Sequence, residues 1–240
     1  MKFKIFFLAF LLTGLKVSAA DPVSHSDWDA LLKKYVTSAG KVDYEGLKGD
    51  KAKLQKYCDL LSENKPKSTW TSDQKKAYWM NAYNAFAVLL VVNNYPVESI
   101  KDIGSWGKEV WDMKFFKIGG TDMSLSHIEH QILRKDFTDP RIHAGINCAS
   151  YSCPKLYNKA FTEDNVEEAL TTLMKEFVND KTKNKITESS AQISEIFKWF
   201  KEDFTKGQTL IEFLNKYSDV QIKSTVKPTY MKYNWTLNKK

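Results

Sequence analysis

Residues 141–156 read RIHAGINCASYSCPKL. This stretch holds His143, Cys148 and Cys153, two of the chain's three cysteines and one of its four histidines. A cysteine nucleophile needs a base within hydrogen-bond reach, usually histidine, and a third group that orients the base. The residue types for such an arrangement are present: Cys148 or Cys153, His143, and Glu129 from the segment SLSHIEHQILR. Cys153 has its own case. Pro154 follows it and favours the first position of a helix, so Cys153 would sit at a helix N-terminus, where a thiol's pKa falls. The rival reading is a Cys148–Cys153 disulfide that closes a tight loop.

The elements that carry these residues decide whether they meet. RIHAGIN reads as a strand. Arg141, His143, Gly145 and Asn147 then face one side, and Ile142, Ala144, Ile146 and Cys148 the other. Gly145 beside His143 would let another group approach closely. An unbroken strand would hold His143 and Cys148 roughly 17 Å apart on opposite faces. The chemistry therefore requires a bend near Ile146 or Asn147, bringing Cys148 within a few Å of the His143 ring with Glu129 at the ring's other nitrogen. Glu129 also has a plain alternative, because Ser126-x-x-Glu129 fits a capping box. His127 and His130 share a helix face, but with no third ligand in place no metal is expected.

Around this stretch the pattern is mostly helical. The segments at 26–36, DKAKLQKYCDLLSEN and TEDNVEEALTTLMKEFVND are amphipathic. Cys58 lies on the apolar face of the second and reads as a core thiol. GKVDYEGL reads as a strand or extended loop. From Tyr78 to Val92 the chain is apolar nearly all round, as in a buried helix, capped by Thr71 or Ser72 and stopped by Pro96. Asn81 and Asn84 lie inside it, three residues apart. Buried amides need partners, so both are expected to be hydrogen-bonded, either as a structural network or lining a site. A hairpin is expected at Gly119-Gly120, a helix from near Ser126, a short strand and a helix within KNKITESSAQISEIFKWFKEDF, a last helix at QTLIEFLNKYS and a strand in the tail YMKYNWTLNKK. No repeat or low-complexity linker interrupts the chain. The expectation is a single α+β domain, helix-rich with a small β-sheet.

The first twenty residues read as a secretory signal peptide: a basic start at Lys2 and Lys4, the apolar run IFFLAFLLTGL, and small residues in VSAA. Residues 21–240 would form the mature domain, periplasmic or secreted. No later segment is apolar enough to span a membrane. The formal net charge of +7 falls to +4 without this segment, which carries Lys2, Lys4 and Lys16 and no acid. That mild excess gives no argument for nucleic acid. An oxidising compartment lets disulfides persist, and three cysteines leave at least one thiol unpaired or intermolecular. The oligomeric state is not legible.

Four stretches, YWMNAYNAFAVLLV, SLSHIEHQILR, DPRIHAGINCASYSCPKL and ISEIFKWFKEDF, together resemble the family known as domain of unknown function 547, over about residues 27 to 215. Bacterial members of that family look exported or membrane-associated; plant members join the domain to a leucine-zipper segment. The resemblance implies a distantly cysteine-hydrolase-like fold and a Glu-His-Cys arrangement, carried here by Glu129, His143 and Cys148, with Cys153 the more replaceable cysteine. The expectation is an exported thiol hydrolase without cofactor, acting on an amide or peptide bond of a small peptide or peptide-like substrate. Asn81 or Asn84 would donate to the oxyanion or hold the loop, and Arg141, Asn147 and Cys153 would support the site. The alternative is a non-catalytic periplasmic binding module in which Cys148 and Cys153 form a structural disulfide.

Overall fold

The computed structural model describes residues 22–104, 107 and 109–240. The signal-peptide reading of residues 1–20 lies outside these. Helices dominate, and the strands are few and short. The architecture is α+β.

The centre is α4, Ser72–Asn94, capped by Thr71, whose side chain accepts from Gln74 N–H while Gln74 reaches back to the Thr71 backbone. This helix is buried on every side from Lys76 to Val92. The expected reason holds: it has no polar stripe to give to water. Against it pack α2 (Tyr44–Lys48), α3 (Lys51–Glu63) and, further along the chain, α7 (Val166–Asn179), while α1 (Ser26–Tyr35) packs on α2 and α3. The α2 segment corrects the extended reading of GKVDYEGL. Its turn forms because Asp43 accepts from Gly46 N–H, a cap that outweighs the β preference of Val42 and Tyr44. Cys58 on α3 is buried and unpaired, and burial pushes its thiol far above the ordinary range.

Strands β1 (Phe116–Ile118) and β2 (Thr121–Met123) form the expected hairpin, turning through Gly119 and Gly120, both at positive φ. A helical segment follows. Its middle, His127–Leu133, has π-type hydrogen bonding, and it ends as α5, Arg134–Asp136. Ser124, not Ser126, supplies the capping hydroxyl, which accepts from His127 N–H at 3.1 Å. Glu129 is therefore not spent on a capping box.

RIHAGIN is not a strand. Ile142–Gly145 form a helical turn, α6, and all four residues are buried. The two-faced pattern read from strand parity therefore does not exist. Gly145 is needed for core packing and not for an approaching ligand: a Cβ there would lie 2.6 Å from Leu170 Cδ2 and would also collide with Met80 Cε. Asn84 explains why the chain leaves this turn as it does. Its amide donates to Gly145 O at 2.9 Å and accepts from Asn147 N–H at 2.8 Å. Asn81 clamps Phe161 in the same way, at 2.8 and 3.0 Å. Each amide from α4 thus imitates a strand neighbour for an irregular segment. Replacing Asn84 by alanine strands two buried backbone groups. We expect a loss of about 2–3 kcal/mol, read as a lower midpoint in urea unfolding.

Strands β3 (Lys185–Ile186), β4 (Ala191–Ser194) and β5 (Thr229–Met231) form a sheet in that order, antiparallel then parallel. Between β4 and β5 lie α8 (Ile196–Trp199), α9 (Lys201–Phe204) and α10 (Leu210–Asn215). The parallel β4–β5 pair returns the tail towards the cysteine loop. Beyond it Tyr151 N–H donates to Thr236 O at 2.6 Å, Ser152 N–H to Asn234 O at 3.1 Å, and Asn238 N–H to Ala149 O at 2.9 Å.

Candidate functional site

A cavity of about 380 Å³ lies where the π-helical segment, the α6 turn, the cysteine loop, α8 and the tail converge. Its polar lining includes Tyr83, Glu129, His130, His143, Cys148 and Cys153, and its aromatic lining Trp111, Trp199, Phe200, Tyr233 and Trp235. This volume suits a small molecule or a short peptide. The aromatic wall is continuous. Trp235 lies 4.4 Å from Tyr233, 5.2 Å from Trp111 and 5.7 Å from Trp199, ring centre to ring centre. Trp199 keeps 44% of its surface exposed at this wall. The Lys101 ammonium stands 4.1 Å over Trp235. Among the described residues the Trp111 Nε1–H has no acceptor.

His143 is buried, and both ring nitrogens face carboxylates. Nε2 is 2.7 Å from Asp203 Oδ2, and Nδ1 is 3.8 Å from Glu129 Oε1. The ring stacks on Phe200 at 4.0 Å, which fixes its plane. Burial holds the imidazole below its ordinary pKa, although Asp203 opposes that. At neutral pH the ring is then neutral. Asp203 is ionised and can only accept, so it selects the tautomer with the proton on Nε2. The Nδ1 lone pair is left facing Glu129. Burial would lift Asp203, but hydrogen bonds from His143 and Arg134 outweigh it and hold the carboxyl well below the usual range. Arg134 grips Asp203 with two hydrogen bonds, Nε to Oδ2 at 2.6 Å and Nη2 to Oδ1 at 3.0 Å.

Glu129 lies opposite in character. Burial raises its carboxyl to about 7, against the lowering effects of Arg134 and Tyr83. Tyr83 O–H donates to Glu129 Oε2 at 3.4 Å. The surroundings thus push the two carboxyls in opposite directions. The shift also has a stability consequence. The folded chain holds the Glu129 proton more tightly than a free carboxyl near 4.5 does. Between about 4.5 and about 7 the folded state binds more protons than the unfolded one, so this group's contribution falls as pH rises through that window and is flat above it. Glu129→Gln removes the ionised burial cost. We expect it to raise stability at pH 8 by on the order of 2 kcal/mol and to change it little at pH 4, as measured by chemical unfolding at both pH values.

The cysteine loop is built by its own side chains. Asn147 donates to Pro154 O at 2.7 Å, closing the loop, and accepts from Ala149 N–H at 2.8 Å. Ala149 lies at φ 63, a left-handed conformation that costs a non-glycine residue roughly 1–2 kcal/mol. The Asn147 and Asn238 contacts hold it there. Cys148 and Cys153 are bonded as a disulfide. Cys148 Sγ also lies 3.0 Å from Ser150 Oγ and 3.5 Å from Tyr233 Oη. Cys148 N–H donates to Cys153 Sγ at 3.0 Å.

The sequence-expected residues divide accordingly. Glu129, His143, Cys148 and Cys153 share the cavity. Glu129 stands 3.8 Å from His143 Nδ1, while the ring's other nitrogen is taken by Asp203 and not by a cysteine. The cysteine sulfurs make no hydrogen bond to His143; they meet the Cys148 N–H, Ser150 and Tyr233 instead. Asn84 and Asn147 shape the loop. Asn81 braces Phe161. Arg141 does not line the cavity: it joins Asp139, Glu167 and Thr171 in a cluster with Lys76, and this ion-pair group ties α4, α6 and α7 together. His130 lines the cavity, its Nδ1 3.1 Å from Arg134 Nη1. No three metal-ligating side chains come together among the described residues. No described helix is long and apolar enough to cross a membrane.

Asp203, Tyr83, Ser150 and Tyr233 are the contacts that sequence reasoning missed. Asp203 had a readable signal: it stands three residues from Phe200 within KWFKEDF, and an acid at that spacing shares the helix face of an aromatic.

No curated protein matches the chain, and no solved structure does. The model of the family described as protein of unknown function, DUF547, matches residues 67–178, the segment that runs from the start of α4 through Glu129, the α6 turn and the cysteine loop to α7. Over those residues the chain is similar to DUF547.

Proposed function

We propose that the cavity is the active site of an exported thiol hydrolase that cleaves an amide or peptide bond in a small peptide. The observation that carries this reading is the Asp203–His143–Glu129 line of acid–base groups opening into the same cavity as Cys148. In the reduced form this mechanism has Cys148 turn about its Cα–Cβ bond, away from Cys153 and towards His143. The neutral His143 takes the thiol proton on Nδ1, and Asp203 stabilises the imidazolium through Nε2. The thiolate attacks the carbonyl carbon, a C–S bond forms, and the C–N bond breaks as the leaving amine takes the proton from His143. Water then hydrolyses the thioester and restores the thiol. Glu129, near its own pKa at neutral pH, supplies or holds a proton at the developing oxyanion or the attacking water. The aromatic wall takes the substrate's apolar groups, and the Trp111 N–H fits a peptide carbonyl.

The Cys148–Cys153 bond favours a second reading, a non-catalytic periplasmic binding module with a structural disulfide. Incubating the fully reduced protein with a set of short peptides and measuring released amine separates the two. Turnover that disappears on alkylation of Cys148 supports the hydrolase. Peptide binding without turnover, unchanged by reduction, supports the module.

A further inference from the structure

We infer that Cys148–Cys153 is an exchangeable disulfide that a small thiol opens inside the cavity. Its use as a switch on the nucleophile rests on the hydrolase reading above; the exchange itself does not. Structural disulfides are usually enclosed by packing, whereas both of these cysteines line the cavity. The two sulfurs are unequal. Cys153 is 6% exposed and Cys148 is partly exposed, so an incoming thiolate reaches Cys148 first. The leaving group is then Cys153, and it departs towards a donor already in place, the Cys148 N–H at 3.0 Å. A leaving thiolate stabilised in this way leaves faster.

The step balances with two equivalents of thiol. One thiolate attacks Cys148 Sγ, the Cys148–Cys153 bond breaks, and Cys153 takes up a proton. A second thiolate attacks the outer sulfur of the mixed disulfide and releases Cys148 as a thiolate; the small molecule leaves as its own disulfide. The two electrons come from the small thiol. The released Cys148 sulfur meets the Tyr233 hydroxyl, 3.5 Å away in the bonded form, and that hydroxyl is itself held by a hydrogen bond from Ser150 at 3.0 Å. A charged sulfur needs such a donor. Cys58 is buried in the core away from the cavity lining and takes no part.

The test uses the wild-type chain with reduced glutathione as the probe, under conditions where circular dichroism shows the fold intact. Samples are quenched in acid, alkylated and peptide-mapped by mass spectrometry. The expected result is a glutathione adduct on Cys148 at early times, then two alkylatable thiols at 148 and 153, with Cys58 unmodified throughout. A first adduct on Cys153, or a disulfide that opens only when denaturant unfolds the chain, overturns the inference. Cys153→Ser supplies the second arm: oxidised glutathione should modify its Cys148, and failure to do so in folded protein also overturns it. If exchange proceeds as expected and neither reduced wild type nor Cys153→Ser releases amine from any peptide, the exchange stands and the hydrolase reading fails.

Discussion

Cys148→Ser is expected to abolish amine release from peptides by the reduced protein, a loss on the order of 10⁴-fold or more, since losing a nucleophile removes the covalent route entirely. The variant also loses the disulfide, so stability must be separated from chemistry. The bond closes a loop of only five residues' separation, and short loops gain least from cross-linking, roughly 2–3 kcal/mol at most. Cys153→Ser loses the same bond and keeps the sulfur at 148. The expected pair of results is inactivity in Cys148→Ser and activity in Cys153→Ser, at similar unfolding midpoints. Equal activity in the two variants would remove Cys148 from the mechanism.

The second large effect is expected at Asp203. It accepts from His143 Nε2 and is held by two hydrogen bonds from Arg134, so it is a positioning residue that acts through the imidazole. Asp203→Asn preserves size but offers an amide N–H that competes for Nε2 and favours the wrong tautomer. The expected fall in kcat/KM is about 10²–10⁴-fold, mostly in kcat. A merely structural role would not move the pH profile. Here, loss of the carboxylate should lower the pH at which the imidazole gains its proton, because Asp203 raises the His143 pKa against burial. The acid limb of the activity profile should therefore shift to lower pH. Stability should also fall, by about 1–3 kcal/mol, because Arg134 keeps its charge without its partner. That estimate is kept low because both side chains of the pair are about a quarter exposed. An unchanged profile in a well-folded Asp203→Asn protein would assign Asp203 to the scaffold alone.

The sequence shows the frame well and the site only in part, for physical reasons. The α4 helix is legible because the nearly all-apolar run from Tyr78 to Val92 leaves no choice of solvent-facing side, and Asn81 and Asn84 stand out against that background as amides in need of partners. Their partners are not legible. They are backbone groups of Phe161, Gly145 and Asn147, and nothing in local pattern encodes a side chain that replaces a strand neighbour. The same amide explains the failure at RIHAGIN. Its alternation resembles a strand, but Asn84 and the tight fit of Gly145 against Met80 and Leu170 favour a helical turn. Tertiary contacts here override β propensity. Glu129 illustrates a different limit: the capping-box spacing is real, yet Ser124 reaches the turn first and releases Glu129 into the cavity. Tyr233 and Trp235 come from a tail eighty or more residues beyond the cysteines, brought back by the parallel β4–β5 pair. Such long-range pairing has no short-range signature. Glu129, His143 and Cys148 were legible as types because the chemistry of a thiol site demands them; Asp203 entered only with the three-dimensional arrangement.

The central claim is that His143 activates Cys148, and the rate of Cys148 alkylation against pH in the Cys153→Ser protein tests it most directly. The Cys58 thiol is buried, so a single reactive site is read. An isolated thiol titrates near about 8.5 and slows tenfold per pH unit below that. The account predicts that Cys148 stays fast below pH 7, that His143→Ala slows it sharply at pH 6.5, and that Glu129→Gln slows it less. Alkylation that follows an ordinary thiol profile and is indifferent to His143→Ala would contradict it.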